Sequence, residues 1–315
     1  MSSGLDLALD HGQRAIGAAV AAFCRDRCGD EVARRAAIRF PRALWKDLAG
    51  LGVLAIATPE GDGGALELVA AHEALGHVAF PGPLVATHLA AQLVPERERR
   101  GLAAGEMIAC VAEGTLLPWA PLADVFVALD GERAWLARPP HSLAQLETIG
   151  GEPFARGELV QATELDGAPR AFALAEIALA AHLAALGHAL VERACEHART
   201  RRQFGQTIGE FQAVSHPLAD CAIRLSASAT LARVAAFAWD FGEANVFAAA
   251  SAARLSAGES ALAAAMTAHQ VFGAIGVTLE GPIFHLSRRV RQLAAHAPAL
   301  DGARARVLAA IGDAT

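Results

Sequence analysis

The sequence predicts a mostly α protein with a small β insert, on three observations. Hydrophobic residues make up 54% of the 315 positions and charged residues only 19%, which excludes disorder. Alanine fills long stretches between Leu and Val, and apolar residues recur at helical spacing through both ends of the chain. Only between Gly105 and Gly167 does the texture change to short apolar runs broken by turn residues. These textures divide the chain into a helical N-terminal domain over 1–104, a reduced β domain over 105–168 and an antiparallel four-helix bundle over 169–315.

In the first region, Pro41 suits the start and Gly50 and Gly52 the end of a helix through Leu44, Trp45 and Leu48. The turn-rich Pro59-Glu60-Gly61-Asp62-Gly63-Gly64 precedes a second helical run, Leu66 to Val78. Pro81-Gly82-Pro83 separates it from a third, Leu84 to Val94. In the middle, Val125 to Leu129 and Ala134 to Ala137 flank Asp130-Gly131, a hairpin signal, and the section has room for four to six strands. In the last region, Leu179, Leu183, Leu186 and Leu190 step by four, three and four. Phe211, Val214, Leu218, Cys221 and Leu225 repeat the stripe, with Pro217 either kinking the helix or sitting in its first turn behind Ser215. A third run covers Val246 to Val271, and a fourth follows Gly281-Pro282 with Leu286, Val290 and Leu293.

Composition excludes several functions. Lys and Arg total 27 against 33 Asp and Glu, a net charge of -6, the wrong sign for gripping nucleic acid or anionic lipid. There is no Tyr, and Lys46 is the only lysine, which removes tyrosine proton transfer and disfavours a lysine Schiff base. Phosphate-loop, dinucleotide-fold and nucleophile-elbow motifs are missing. Cys24, Cys28, Cys110, Cys195 and Cys221 are odd in number and scattered, as reduced, buried thiols would be. No signal peptide is visible at the N-terminus. The apolar run Ile177 to Val191 falls short of the roughly 20 residues a bilayer requires, so a cytoplasmic protein without a membrane span is expected. No metal site is expected: His72 and His77 lie five apart and diverge around a helix, and His182 and His188 read as satisfied bundle residues.

The chemistry concentrates in Arg199-Thr200-Arg201-Arg202-Gln203-Phe204-Gly205, which closes one helix before Ile208-Gly209-Glu210-Phe211-Gln212 opens the next. Arginines there could simply offset a helix dipole, or could clamp a phosphate or pyrophosphate while Phe204 and Gln212 contact an attached ring.

The full string, continued by His216-Pro217-Leu218-Ala219-Asp220, resembles the signature of the acyl-CoA dehydrogenase family. Leu44 to Gly52 with Pro59 to Gly64 is similar to the family's N-terminal helix and turn, and His269-Gln270-Val271-Phe272-Gly273-Ala274-Ile275-Gly276 to its late glycine turn. The resemblance spans most of the chain and is weakest from Gly105 to Gly167.

What it implies is α,β-dehydrogenation of an acyl-CoA or carrier-bound acyl thioester, with FAD held between subunits and an electron-transfer flavoprotein as acceptor. Arg201 would contact the FAD pyrophosphate, while Gln203, Phe204 and Gln212 would line the adenosine and flavin-linker side. Gln270, Gly273 and Gly276 would cradle the adenine-pyrophosphate end contributed to a neighbouring subunit. Ala274 replaces a usual Gly, whose missing side chain permits close backbone approach.

The family's reaction needs a carboxylate base in an apolar slot. Its usual Glu-Gly-Thr position falls at His296-Ala297-Pro298, with Asp301 late and Glu280 early. The alternative position falls at Ala175 or Glu176, which makes Glu176 the candidate, against the plain reading of an exposed helix acid. The middle section also lacks a Thr/Ser-rich flavin loop. The chain therefore reads either as an oligomeric dehydrogenase, homodimer or tetramer, or as a catalytically incomplete subunit that supplies FAD contacts in a hetero-oligomer.

Overall fold

The computed structural model describes residues 8–32, 40–148, 150–295 and 300–312. Among the described residues, five complete helices come first: α1 (His11–Arg27), α2 (Arg42–Gly50), α3 (Ala65–His77), α4 (Leu84–Leu93) and α5 (Glu96–Ala103). A capping box starts α1, with Asp10 accepting from the Gln13 amide at 2.8 Å and Gln13 reciprocating at 2.9 Å. Pro41 caps α2 from outside rather than entering its first turn, because its backbone is not helical.

Seven strands follow: β1 (Ala109–Glu113), β2 (Leu116–Pro118), β3 (Val125–Asp130), β4 (Arg133–Arg138), β5 (Ala144–Leu146), β6 (Phe154–Arg156) and β7 (Val160–Leu165). They exceed the four to six expected because β2, β5 and β6 have three residues each, too short for an apolar pattern to show. One sheet runs β1-β3-β4-β7 and a second β2-β6-β5. The expected hairpin is there, with Asp130 opposite Arg133 across Gly131. β1 and β3 pair in parallel, a long-range choice that no local turn signal encodes.

The rest is α6 (Ala168–Thr200), a short hairpin of β8 (Arg202–Gln203) and β9 (Gln206–Thr207), then α7 (Gln212–Phe241), α8 (Val246–Phe272), α9 (Phe284–Ala295) and α10 (Leu300–Gly312). α10 adds a fifth long helix to the expected four. Pro217 lies inside α7, which begins at Gln212 rather than after Ser215. Its missing N–H costs one hydrogen bond near the helix start, where disruption is mild.

The central pillar is α6, whose Leu174, Ile177, Leu183, Leu186 and Leu190 are all buried and which packs on α3, α7 and α8. Two glycines permit the approach. A Cβ on Gly76 of α3 would stand 2.4 Å from the His182 carbonyl oxygen, and one on Gly187 would stand 2.4 Å from the Leu225 side chain. Asp240, at the end of α7, accepts from the Ala65 and Leu66 amides at 2.7 and 3.1 Å, tying the start of α3 to the bundle.

Contrary to expectation, the chain contains segments of membrane-spanning length. Ala168–Thr200, Gln212–Phe241 and Val246–Val277 are each long and apolar enough to cross a bilayer by length and composition. A window confined to Ile177–Val191 undercounts because alanines extend the apolar character well beyond it. Here the three helices pack together, and the most apolar window of α6 is 89% buried within the chain. All five cysteines are free, and only Cys195 is not fully buried.

Candidate active site

Where the N-terminal helices, the β sheets and the bundle meet, the chain forms a partly open cavity of about 100 Å³. Its floor is apolar, from Leu84, Val85 and Leu89 of α4 and from Phe172 and Leu179 of α6. Its polar wall is assembled from distant segments: Glu152 of the β domain, Glu176 and His182 of α6, Arg254 of α8, Arg289 of α9 and Arg306 of α10.

Glu176 is only 8% exposed, so the reading of an exposed helix acid is wrong. That reading assumed a polar outer face, but α6 is enclosed all round here and the adjacent Ala175 is buried too. Oε1 of Glu176 accepts from Arg306 at 2.6 Å and Oε2 from the Ser251 hydroxyl at 2.8 Å, while Arg306 Nε donates to the same hydroxyl oxygen at 2.8 Å. Burial pushes the Glu176 carboxyl above its ordinary value, against the opposing pull of Arg306, Ser251 and Arg254. The result is a desolvated carboxylate walling an apolar cavity, the environment a general base requires.

A second charge cluster also lines the cavity. Arg289 pairs with Glu152 and donates to the Gly82 carbonyl at 3.1 Å, and Gln292 also donates to Glu152. Burial lowers the Arg289 pKa to about 10.

Behind His182 lie His72 and His88, with ring centroids 5.6 and 5.2 Å apart along the chain His182–His72–His88. All three are essentially inaccessible, and among the described residues none of their six ring nitrogens has a hydrogen-bond partner. His182 is thus not the satisfied bundle residue expected. An imidazole on a helix is satisfied only where a carbonyl or hydroxyl faces it, and here its aromatic neighbours are other imidazoles. Burial lowers His88 and His182 to about 4 and His72 well below its ordinary value, with the neighbouring rings adding to the last. Among the described residues no group of three His, Cys, Asp or Glu side chains could hold a metal ion.

The residues expected to hold a cofactor lie elsewhere, on the outer surface. Gln203, Phe204 and Gln270 line one open groove of about 690 Å³ with Phe211, Met266 and Val271. Phe204 sits at the tip of the β8–β9 hairpin with φ 52° and its ring 93% exposed, edge-on to Phe211 at 6.2 Å. A phenyl ring held out to water on strained backbone suits stacking on something outside this chain. Arg201 caps α6 and Gln212 opens α7, both exposed, but neither lines the groove. Gly273 has φ 62° and no atom within 4 Å of a Cβ built on it, so backbone can be approached there. Gly276 faces inward instead, where a Cβ would stand 2.9 Å from Phe272 Cβ, so its glycine serves packing. Ala274 is exposed. The aromatic ring, the two amides and the open glycine backbone fit one side of a dinucleotide, leaving its other side for a second chain.

His296 to Pro298, the usual base position, lies outside the described residues. Glu280 is exposed in the turn before α9, and Asp301 belongs to α10. Sequence reasoning missed Arg254, Arg306, Arg289 and Glu152. One signal was available for Arg254, which interrupts the otherwise small, buried stripe Ala250, Ala253, Ala257 and Ala261.

Residues 10–95 match the family model for the acyl-CoA dehydrogenase N-terminal domain, and residues 167–304 that for the acyl-CoA dehydrogenase C-terminal domain. The chain is 33% identical over 271 residues to acyl-CoA dehydrogenase FadE34 of Mycobacterium tuberculosis, covering 76% of this chain but 38% of that protein. A chain of the ChsE4-ChsE5 complex from Mycobacterium tuberculosis superimposes with a TM-score of 0.82 at 25% identity, covering 98% of both. The FAD complex of PigA superimposes with a TM-score of 0.81 at 21% identity, covering 98% of this chain and 99% of that one.

Proposed function

Because the chain belongs to the acyl-CoA dehydrogenase family, we propose that it catalyses FAD-dependent α,β-dehydrogenation of an acyl-CoA or carrier-bound acyl thioester, working as an oligomer. The observation that carries this reading is the buried Glu176 carboxylate walling an apolar cavity between the domains. FAD, when bound, supplies the hydride acceptor. The chain's own task is to hold the acyl group along Leu84, Phe172 and Leu179 and to exclude water. Glu176 takes the proton from the carbon α to the thioester, and its raised pKa makes the proton transfer less uphill. Arg306 and Ser251 fix the carboxylate's direction, and one of them must yield an oxygen as the proton arrives.

The cofactor is read as FAD lying against Gln203, Phe204 and Gln270, with Arg201 and Gln212 at the groove's margin and Gly273 open to its backbone side. Assembly is supported by the same region. Met266, Ile275, Val277 and Leu279 are all more than half exposed beside the groove, an apolar surface that a second subunit would cover. An electron-transfer flavoprotein is the acceptor the family implies, and the cytoplasm is the compartment proposed from the sequence.

A second reading, a subunit that supplies FAD contacts to a catalytic partner, is favoured by the engagement of both Glu176 oxygens. One experiment separates the two. Protein reconstituted with FAD, alone and with a homologous subunit, is mixed with acyl-CoA and flavin bleaching is followed. Bleaching by the protein alone, reduced by two or more orders of magnitude in Glu176→Gln with flavin retained, supports the first reading. Bleaching only with the partner supports the second, and failure of both preparations to retain flavin through gel filtration refutes both.

A further inference from the structure

We infer that the interdomain cavity receives an acyl group carrying a second, negatively charged terminus, a carboxylate that Arg254 binds. This deepens the thioester reading of the cavity and rests on it.

The charges in the wall do not balance. Three guanidinium groups, Arg254, Arg289 and Arg306, face two carboxylates, Glu152 and Glu176. The pairs are already made: Arg289 with Glu152, and Arg306 with Glu176. The remaining ionisable group, His182, is neutral at physiological pH because burial holds its pKa near 4. Among the described residues, Arg254 is the cation left over.

Its surroundings confirm the imbalance. Arg254 is 3% exposed, and its Nη1 has no hydrogen-bond partner among the described residues. The charged groups acting on it are Glu176 and Arg306, which oppose one another and already bind each other. An arginine keeps its charge even when buried, so a guanidinium in this position is uncompensated in the free protein. Burying an unpaired cation is expensive, and α8 could have continued its small-residue stripe with alanine at no such cost. A ligand carboxylate supplies the missing charge and accepts a charge-assisted hydrogen bond from the free Nη1. Apolar walls at Leu84, Val85, Phe172 and Leu293 suit the methylenes between that carboxylate and the thioester. A neutral alkyl end would leave the imbalance in place.

The test uses the FAD-reconstituted full chain and calorimetric titration at pH 7. The ligands are ω-carboxyacyl-CoA thioesters of four to eight carbons, their ω-methyl counterparts of equal length, the matching free dicarboxylates, and inorganic phosphate as a generic anion. The expected result is at least a ~10-fold tighter binding of one ω-carboxyacyl-CoA over its ω-methyl counterpart. Arg254→Met, which removes the charge at similar volume, should cut that preference to below ~2-fold, and Arg254→Lys should restore part of it. Equal binding of both thioesters, or a preference that survives Arg254→Met, overturns the inference while leaving the thioester reading intact. Dicarboxylate binding that depends on Arg254 without any thioester binding supports the subsite and overturns the thioester reading. Phosphate binding as tightly as the carboxylates, or no ligand depending on Arg254, overturns the subsite.

Discussion

Acidification from pH 7 to 5 should destabilise this fold through the buried imidazoles of His72, His88 and His182. His88 and His182 have folded pKa values near 4 against an ordinary 6.5, with burial as the cause. Between those values the unfolded chain binds protons that the folded chain refuses. Stability is therefore greatest above pH 6.5, falls as pH drops from 6.5 toward 4, and levels off below. At pH 5 an unfolded imidazole is almost fully protonated and a folded one almost fully neutral, which costs about 2 kcal/mol for each of the two residues. His72 is shifted in the same direction and adds to the loss. Glu176, whose carboxyl is raised, pulls the other way near its own titration, so wild type alone is an ambiguous witness. The informative comparison is with His88→Leu, which fills the site without a titrating group and leaves every other residue common to both proteins. Urea unfolding at pH 7, 6 and 5 should show wild type losing about 2 kcal/mol more than the variant over that range. Parallel losses in the two proteins would refute the argument, because His88 would then have to be charged, or hydrated, in the folded state.

Three further outcomes follow from contacts already described. Gly76→Ala would place a Cβ 2.4 Å from the His182 carbonyl oxygen, so a loss of roughly 1–3 kcal/mol in thermal or urea unfolding is expected, and an unchanged Tm would show that α3 and α6 do not approach as described. Phe204→Ala removes a ring that is 93% exposed, so monomer stability should change by less than ~0.5 kcal/mol while flavin retention after gel filtration falls several-fold; unaltered retention would remove Phe204 from the cofactor site. Asp240→Ala leaves the Ala65 and Leu66 amides without their acceptor and should cost about 1–2 kcal/mol, measured by urea midpoint, with no change in flavin content.

The helices were legible because glycine and proline mark their ends and leucines mark their faces. The sequence pattern from Leu84 to Val94 matches α4 to within a residue, and the stripe from Leu179 to Leu190 is buried in α6 along with the alanines between. The β domain was legible only as texture. Asp130-Gly131 announced one hairpin, since a turn is a local property, whereas the parallel pairing of β1 with β3 is decided by which apolar edges meet after collapse.

The cavity wall shows why a site can be harder to read than the fold that builds it. Its charged members run from Glu152 to Arg306 and come from five separate elements and loops, so no spacing rule connects them. Each alone looks like something ordinary: Glu176 like a helix acid, Arg306 like a surface arginine, His182 like packing. Only their enclosure changes their chemistry, because desolvation raises a carboxylate, lowers an imidazole and makes an odd cation costly. The one trace left in the sequence is a mismatch between residue and stripe, as where Arg254 interrupts the buried alanines of α8. In an alanine-rich bundle a neutral residue at that position would avoid burying an unpaired charge. A charge retained there is better explained by what enters the cavity than by what surrounds it.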